Sequence, residues 1–155
     1  MNKWQAYIAA AFFIALTATL GSLFFSEVMQ LPPCVLCWYQ RIAMYPLVVL
    51  LGAALVFEDK RIYRYALPLS VIGAVIALYH NLLYYGVLPE SVQPCIDGVS
   101  CTTKFFEWFG FITIPFLSLA SFVAISVLLV ILMKNDQKQP LKQQILQCVK
   151  TLLHQ

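Results

Sequence analysis

Four of the five cysteines in this chain stand in two close pairs, Cys34 with Cys37 and Cys95 with Cys101. Paired thiols can cross-link a loop, exchange a disulfide with another protein, or bind a metal ion, and their spacing helps to decide among these. The first pair lies in Pro32-Pro33-Cys34-Val35-Leu36-Cys37-Trp38-Tyr39-Gln40-Arg41. Two intervening residues close a tight ring, which suits a redox-active pair better than a loop-closing cross-link. The prolines cannot continue a helix from upstream but suit a helix start, so both sulfurs fall in an opening turn. Free N–H groups and the helix dipole there stabilise a thiolate. Arg41 lies four residues beyond Cys37, one turn along the same face, where its guanidinium can stabilise a thiolate or an anion beside it. The plainer role for an arginine at such a place is to reach past an apolar surface to lipid headgroups.

The second pair is spaced differently. Five residues separate Cys95 from Cys101, and Asp97-Gly98 between them supplies a turn that can bring the sulfurs together. Such a pair can exchange with a soluble protein or simply hold its loop closed. Structural zinc sites favour two short Cys-x2–4-Cys knuckles, and the second pair is too wide for one, so no metal site is expected. Trp38 rather than a histidine follows Cys37, which excludes covalent haem attachment.

These residues are carried by an unusually apolar chain. Of its 155 residues, 61% are hydrophobic and 11% charged, where soluble domains are about 25% charged. An ordinary soluble fold is excluded, and the chain lacks the clustered basic face that nucleic-acid binding requires. Four apolar runs predict spanning helices over about 6–25, 38–57, 65–85 and 111–133, each near the ~20 residues needed to cross the hydrocarbon. Lipid offers no hydrogen bonds to bare backbone, so each run must be helical. The run over 6–25 is too long for a signal peptide, and no small-residue cleavage site closes it, so it is read as retained. The expected fold is all-α: an integral membrane four-helix bundle over 1–133, followed by a polar tail over 134–155. From Pro140 the tail places Leu141, Ile145, Cys148, Val149 and Leu152 on one face, the pattern of an amphipathic helix lying on the membrane surface.

Charge sets the expected orientation. Lys3, Lys60, Arg61, Arg64, Lys134, Lys138, Lys142 and Lys150 fall on one side of the four spans, and Arg41 and Lys104 on the other. Eight cations against two place both termini in the cytoplasm. Trp4, Trp38, Tyr39, Trp108 and Phe109 fall at the expected membrane boundaries, where aromatic residues anchor. Both cysteine pairs then face the extracytoplasmic side, an oxidising compartment, and Cys148 faces the cytoplasm.

A disulfide that oxidises another protein is left reduced, so turnover needs an onward acceptor. The strongest soluble thiol oxidants have potentials of about −120 mV, and re-oxidising one takes an acceptor of higher potential. The chain has no dinucleotide fingerprint or haem-type histidine pair, and its two histidines are His80 and His154. A quinone dissolved in the bilayer fits.

The sequence resembles the DsbB family of disulfide-bond-forming membrane oxidoreductases, most closely its BdbC-like Gram-positive branch. The resemblance rests on Cys34-Val35-Leu36-Cys37-Trp38-Tyr39-Gln40-Arg41 with Met44-Tyr45-Pro46, on Leu78-Tyr79-His80-Asn81, on Pro94-Cys95 with Cys101, and on Trp108 through Pro115-Phe116. It covers nearly the whole chain to Met133. It implies a quinone-dependent enzyme that re-oxidises a soluble or lipid-anchored thioredoxin-fold thiol oxidase, with menaquinone favoured over ubiquinone. Cys34 and Cys37 would be the quinone-proximal pair, with Cys37 meeting the quinone. Cys95 would take the partner's attack, with Cys101 as its mate. Arg41, Gln40 and His80 would line the quinone site, although a lone histidine in a span is as readily a packed, hydrogen-bonded side chain. In proteobacterial members the loop cysteines stand much further apart than here.

Two other functions use some of the same residues. A reductase of the vitamin K epoxide type runs the electrons the other way, but those proteins place the membrane Cys-x-x-Cys after the loop pair, whereas here it comes first. A non-enzymatic assembly factor with two structural disulfides has no need of Arg41 one turn past a Cys-x-x-Cys.

The orientation has a direct test. A membrane-impermeant thiol reagent applied to intact, reduced cells should label Cys95 and Cys101 and spare Cys148. Labelling of Cys148 without the loop pair would invert the topology.

Overall fold

The structure, a computed structural model, describes residues 3–87 and 113–152, with 137–152 described by backbone alone. Cys95, Cys101 and the aromatic pair Trp108-Phe109 lie outside the described residues. Four long helices carry the described chain: α1 (Lys3–Leu23), α2 (Val35–Val56), α3 (Tyr63–Tyr84) and α4 (Ile114–Leu152). A π-helical turn, Phe24–Val28, extends α1. The segments long and apolar enough to span a bilayer are Lys3–Val28, Val35–Val56, Tyr63–Tyr84 and Ile114–Asp136, in agreement with the four runs expected from sequence. The second helix begins at Val35, three residues before the start expected for its span. In α4 the helix runs past its spanning part through Pro140 to Leu152 without a break.

Each helix packs mainly against two neighbours, in the closed order α1–α2–α3–α4–α1. The ends of α1 and α3 meet the starts of α2 and α4: Arg41 reaches Ser22, and Gln40 reaches both His80 and Ser118. At the opposite end Tyr63 donates to Asp136 at 3.0 Å, and the Lys60 ammonium lies 5.6 Å from the Trp4 ring centroid. Successive helices therefore run antiparallel, as the short connections into α2 and α3 favour, and the start of α1 shares an end of the bundle with the far half of α4.

The core follows helical spacing. Ile8, Ala11 and Ala15 face inward from α1, and Leu47, Leu51 and Ala54 from α2. Phe122, Ile125, Leu129 and Leu132 do so from α4. On α3 the inward stripe is Ala66, Ser70, Gly73 and Ala77. Lipid is as apolar as leucine, so membrane helices associate by close packing of small residues and by interhelical hydrogen bonds. Both are present at the α3–α4 contact: the Ser70 hydroxyl donates to the Phe122 carbonyl and lies 2.9 Å from the Ser126 hydroxyl. Beside it the Phe122 ring lies over Gly73, in the space that a Cβ would occupy. Pro46 and Pro68 sit inside α2 and α3, as membrane helices tolerate. Beyond α3, Gly86 takes φ +70° while Gly86 N–H donates to Leu83 and Val87 N–H to Leu82, a left-handed C-terminal cap.

Gly73→Ala should destabilise the protein by about 1–3 kcal/mol, the usual cost of overpacking. Adding Phe122→Leu should recover part of it, because the smaller side chain vacates the space. Thermal unfolding in detergent measures both; additive losses would mean that the two residues do not share that space.

Candidate functional site

At the end where α1 and α3 finish and α2 and α4 begin, the polar side chains of the bundle converge. The first helical turn of α2 sets the thiol pair. Cys34 is the N-cap, with extended backbone at φ −70° and ψ 167°, and its sulfur accepts the Cys37 N–H at 3.2 Å. A cap normally uses a side-chain oxygen for this, so here a thiol satisfies one of the orphan donors of the helix. Both cysteines are free thiols. Cys34 is buried and Cys37 half-buried. The hydrogen bond with the Cys37 side chain, together with burial, pushes the Cys34 thiol well above the ordinary thiol range.

His80, from the last turns of α3, stands against this pair. Its Nε2 is 3.8 Å from the Cys34 sulfur and its Nδ1 is 3.0 Å from Gln40 Nε2. The amide oxygen of Gln40 in turn accepts the Ser118 hydroxyl at 2.7 Å. With Gln40 donating to Nδ1, the imidazole proton sits on Nε2 and points at the Cys34 sulfur. The next residue, Arg41, is also buried. Its Nε donates to the Ser22 hydroxyl and its Nη2 to the Ser22 carbonyl, each at 2.9 Å. Its guanidinium carbon lies 5.4 Å from the Trp38 ring centroid. Among the described residues Arg41 is held by α1 rather than by a carboxylate, so its positive charge is left to favour an anion nearby. The reading of Arg41 as a residue reaching out to headgroups does not fit this burial.

Asn81 completes the frame: its amide nitrogen donates to the carbonyls of Ala77 and Pro115 at 2.7 and 2.8 Å, fixing the start of α4 against α3. Thr113 caps α4 by accepting the Phe116 N–H.

Between these groups lies a cavity of about 150 Å3. Cys37, Gln40, Arg41 and His80 line it with Ser22 and Ser118, and Met44, Tyr45, Phe25 and Phe122 supply apolar wall. An apolar cavity of about this size accepts a six-membered aromatic ring. The sequence-derived candidates Cys34, Cys37, Gln40, Arg41 and His80 are thus brought together, and Cys95 and Cys101 fall outside the described residues. Ser22, Ser118 and Asn81 were not singled out from sequence as site residues. The signal available for them was only that each is a polar residue within an apolar run, where polar groups face the bundle interior.

Comparison with known proteins follows the same lines. The family model described as "Disulfide bond formation protein DsbB" matches residues 4–132. "Disulfide bond formation protein C" of Bacillus subtilis (strain 168) is 44% identical over 139 residues, covering 90% of this chain and 100% of that protein. "Probable disulfide formation protein C 1" of Bacillus anthracis is 48% identical over 135 residues, covering 86% and 97%. A "Probable disulfide formation protein" of Metapseudomonas resinovorans is 46% identical over 123 residues, covering 79% and 85%. No solved structure is a significant match.

The unequal settings of the two thiols predict unequal reactivity. In the reduced protein a small membrane-permeant alkylating agent should modify Cys37, which lines the cavity, roughly tenfold faster than buried Cys34. Mass spectrometry of the partly modified protein reads the order; Cys34 reacting first would place the open sulfur on the wrong residue.

Proposed function

The chain belongs to the DsbB family of disulfide bond formation proteins, and on that premise we propose that it re-oxidises a soluble or lipid-anchored extracytoplasmic thioredoxin-fold dithiol oxidase and passes the electrons to a membrane quinone. Membership makes it a disulfide-generating membrane oxidoreductase; the partner, the quinone and the sidedness are our reading. One observation carries it: Cys37 opens onto a ring-sized cavity with Gln40, Arg41 and His80 in its wall, so a thiol and a ring acceptor can meet out of water.

The loop pair takes the first exchange. The partner's thiolate attacks Cys95, Cys101 is displaced, and the partner leaves as a disulfide. The reduced loop pair then reduces the Cys34–Cys37 disulfide. A bound quinone supplies the acceptor for two electrons and two protons. The chain's own residues prepare that transfer. The helix start and Arg41 favour negative charge at Cys37, His80 holds a proton at Nε2 beside the Cys34 sulfur, and Gln40 fixes the ring that carries it. The apolar wall keeps water from the reacting sulfur. The likeness to Bacillus proteins favours menaquinone over ubiquinone, and the likeness to proteins of disulfide formation favours that direction over the reverse, reductive one.

The two halves of the relay are separable. Arg41→Met should weaken quinone affinity and slow re-oxidation of the Cys34–Cys37 pair by roughly tenfold to a hundredfold, a loss of about 1.4–2.7 kcal/mol. In a Cys101→Ala background, trapping of the partner on Cys95 should be almost unchanged by it. Equal losses in both assays would mean misfolding, and unchanged quinone kinetics would leave Arg41 a structural residue only.

A further inference from the structure

His80 gives the Cys34–Cys37 pair a third donor. The two sulfurs and a His80 ring nitrogen all lie within 4.8 Å of one another, with Cys34 Sγ 3.8 Å from Nε2. In a tetrahedral zinc site, bonds of about 2.3 Å to sulfur and about 2.0–2.1 Å to nitrogen put neighbouring sulfur and nitrogen ligands about 3.6 Å apart. We propose that the reduced Cys34–Cys37 pair and His80 Nε2 form a three-ligand site for a thiophilic divalent cation such as Zn2+, present only while the pair is a dithiol. The site does not depend on which acceptor the cavity holds.

Three features beyond proximity support the assignment. As N-cap, Cys34 keeps its sulfur over the first turn, where it already accepts the Cys37 N–H; that bond offsets the charge of a coordinating thiolate. Behind the histidine, the Gln40 amide is the kind of outer partner that metal-bound imidazoles have. A half turn of that amide presents Oε1 to an Nδ1 proton and its NH2 to the Ser118 oxygen, which can accept. Both ring tautomers are therefore satisfied without moving the ring: Nε2 carries a proton toward the thiol in one and a bare lone pair toward a cation in the other. Finally, Cys37 and His80 both line the cavity, which leaves a fourth position open to water or a small anion, unlike a closed structural site.

Binding would release the two thiol protons, so that two thiolates neutralise the dication in a poorly solvated place. No electrons move. The sulfur lone pairs engaged by the cation are those needed to form the disulfide, so the cation would hold the protein in its reduced state. Oxidation to the disulfide removes both anionic ligands and with them the site.

The test uses the full chain in detergent with Cys95, Cys101 and Cys148 replaced by Ser, titrated with Cd2+ as a spectroscopic probe. Reduced protein should bind one Cd2+ per chain with sulfur-to-metal charge-transfer absorption, and Zn2+ should displace it. The same protein oxidised to the Cys34–Cys37 disulfide should show no such band. His80→Ala should weaken binding by roughly a hundredfold, and Gln40→Leu by about 10–100-fold. Because these variants can perturb folding, X-ray absorption at the cadmium edge of the parent protein supplies a reading without substitution: two sulfurs and an imidazole nitrogen are expected. Equal binding by oxidised and reduced protein, or a two-sulfur shell without imidazole, would overturn the proposal.

Discussion

A polar side chain inside a bilayer has no water to bond to, so it must find its partner within the protein or leave a costly vacancy. Gln40 and Arg41, consecutive near the start of α2, meet that demand in three directions. Gln40 reaches His80 on α3 and Ser118 on α4, and Arg41 reaches Ser22 on α1. Two adjacent residues thus tie one helix to the other three. Leaving such a buried group unpaired costs about 1–3 kcal/mol, and the cost would fall on several groups at once because the bonds are shared. The position of the imidazole beside Cys34, the placement of the guanidinium, and the approach of α4 all follow from this one knot.

The rest of the bundle is built to leave that knot in place. Along the core the helices close on small residues, Ala11 and Ala15 on α1 and Ala66, Gly73 and Ala77 on α3, and the Phe122 ring that packs over Gly73 also forms part of the cavity wall. At the site, Ala18, Gly21 and Ser22 of α1 line the cavity together with Gln40, Arg41 and His80. The tie between Tyr63 and Asp136 at the far end pins α3 to α4 a second time, so that their relative rotation is fixed at both ends.

The two thiols of one short motif are made different by where the helix starts. Cys34 lies before the first turn, and its sulfur is spent on the backbone and on His80. Cys37 lies within the turn and faces the cavity. In the relay we propose, this pair accepts electrons on one side and releases them on the other, and a helix N-terminus supplies the asymmetry between its thiols with no additional residues.

Much of this was readable in the chain. Spanning length is a one-dimensional property: a run of about 20 apolar residues must be helical in lipid, so four runs gave four helices. Pro32-Pro33 before Cys34 marked where α2 begins, and the polar residues after Met133 marked where the apolar part of α4 ends, though not that the helix itself continues to Leu152. What the sequence left open was the rotation of each helix about its axis. Helices that are apolar nearly all round show little periodicity to say which face turns inward, and lipid does not penalise an apolar face that turns outward. Only the packed bundle decides it, through contacts between residues far apart in the chain, such as Cys34 with His80, Gln40 with Ser118 and Arg41 with Ser22. The spacing of the cysteines pointed to a redox pair; the surroundings of that pair required three more helices to be turned to the right face.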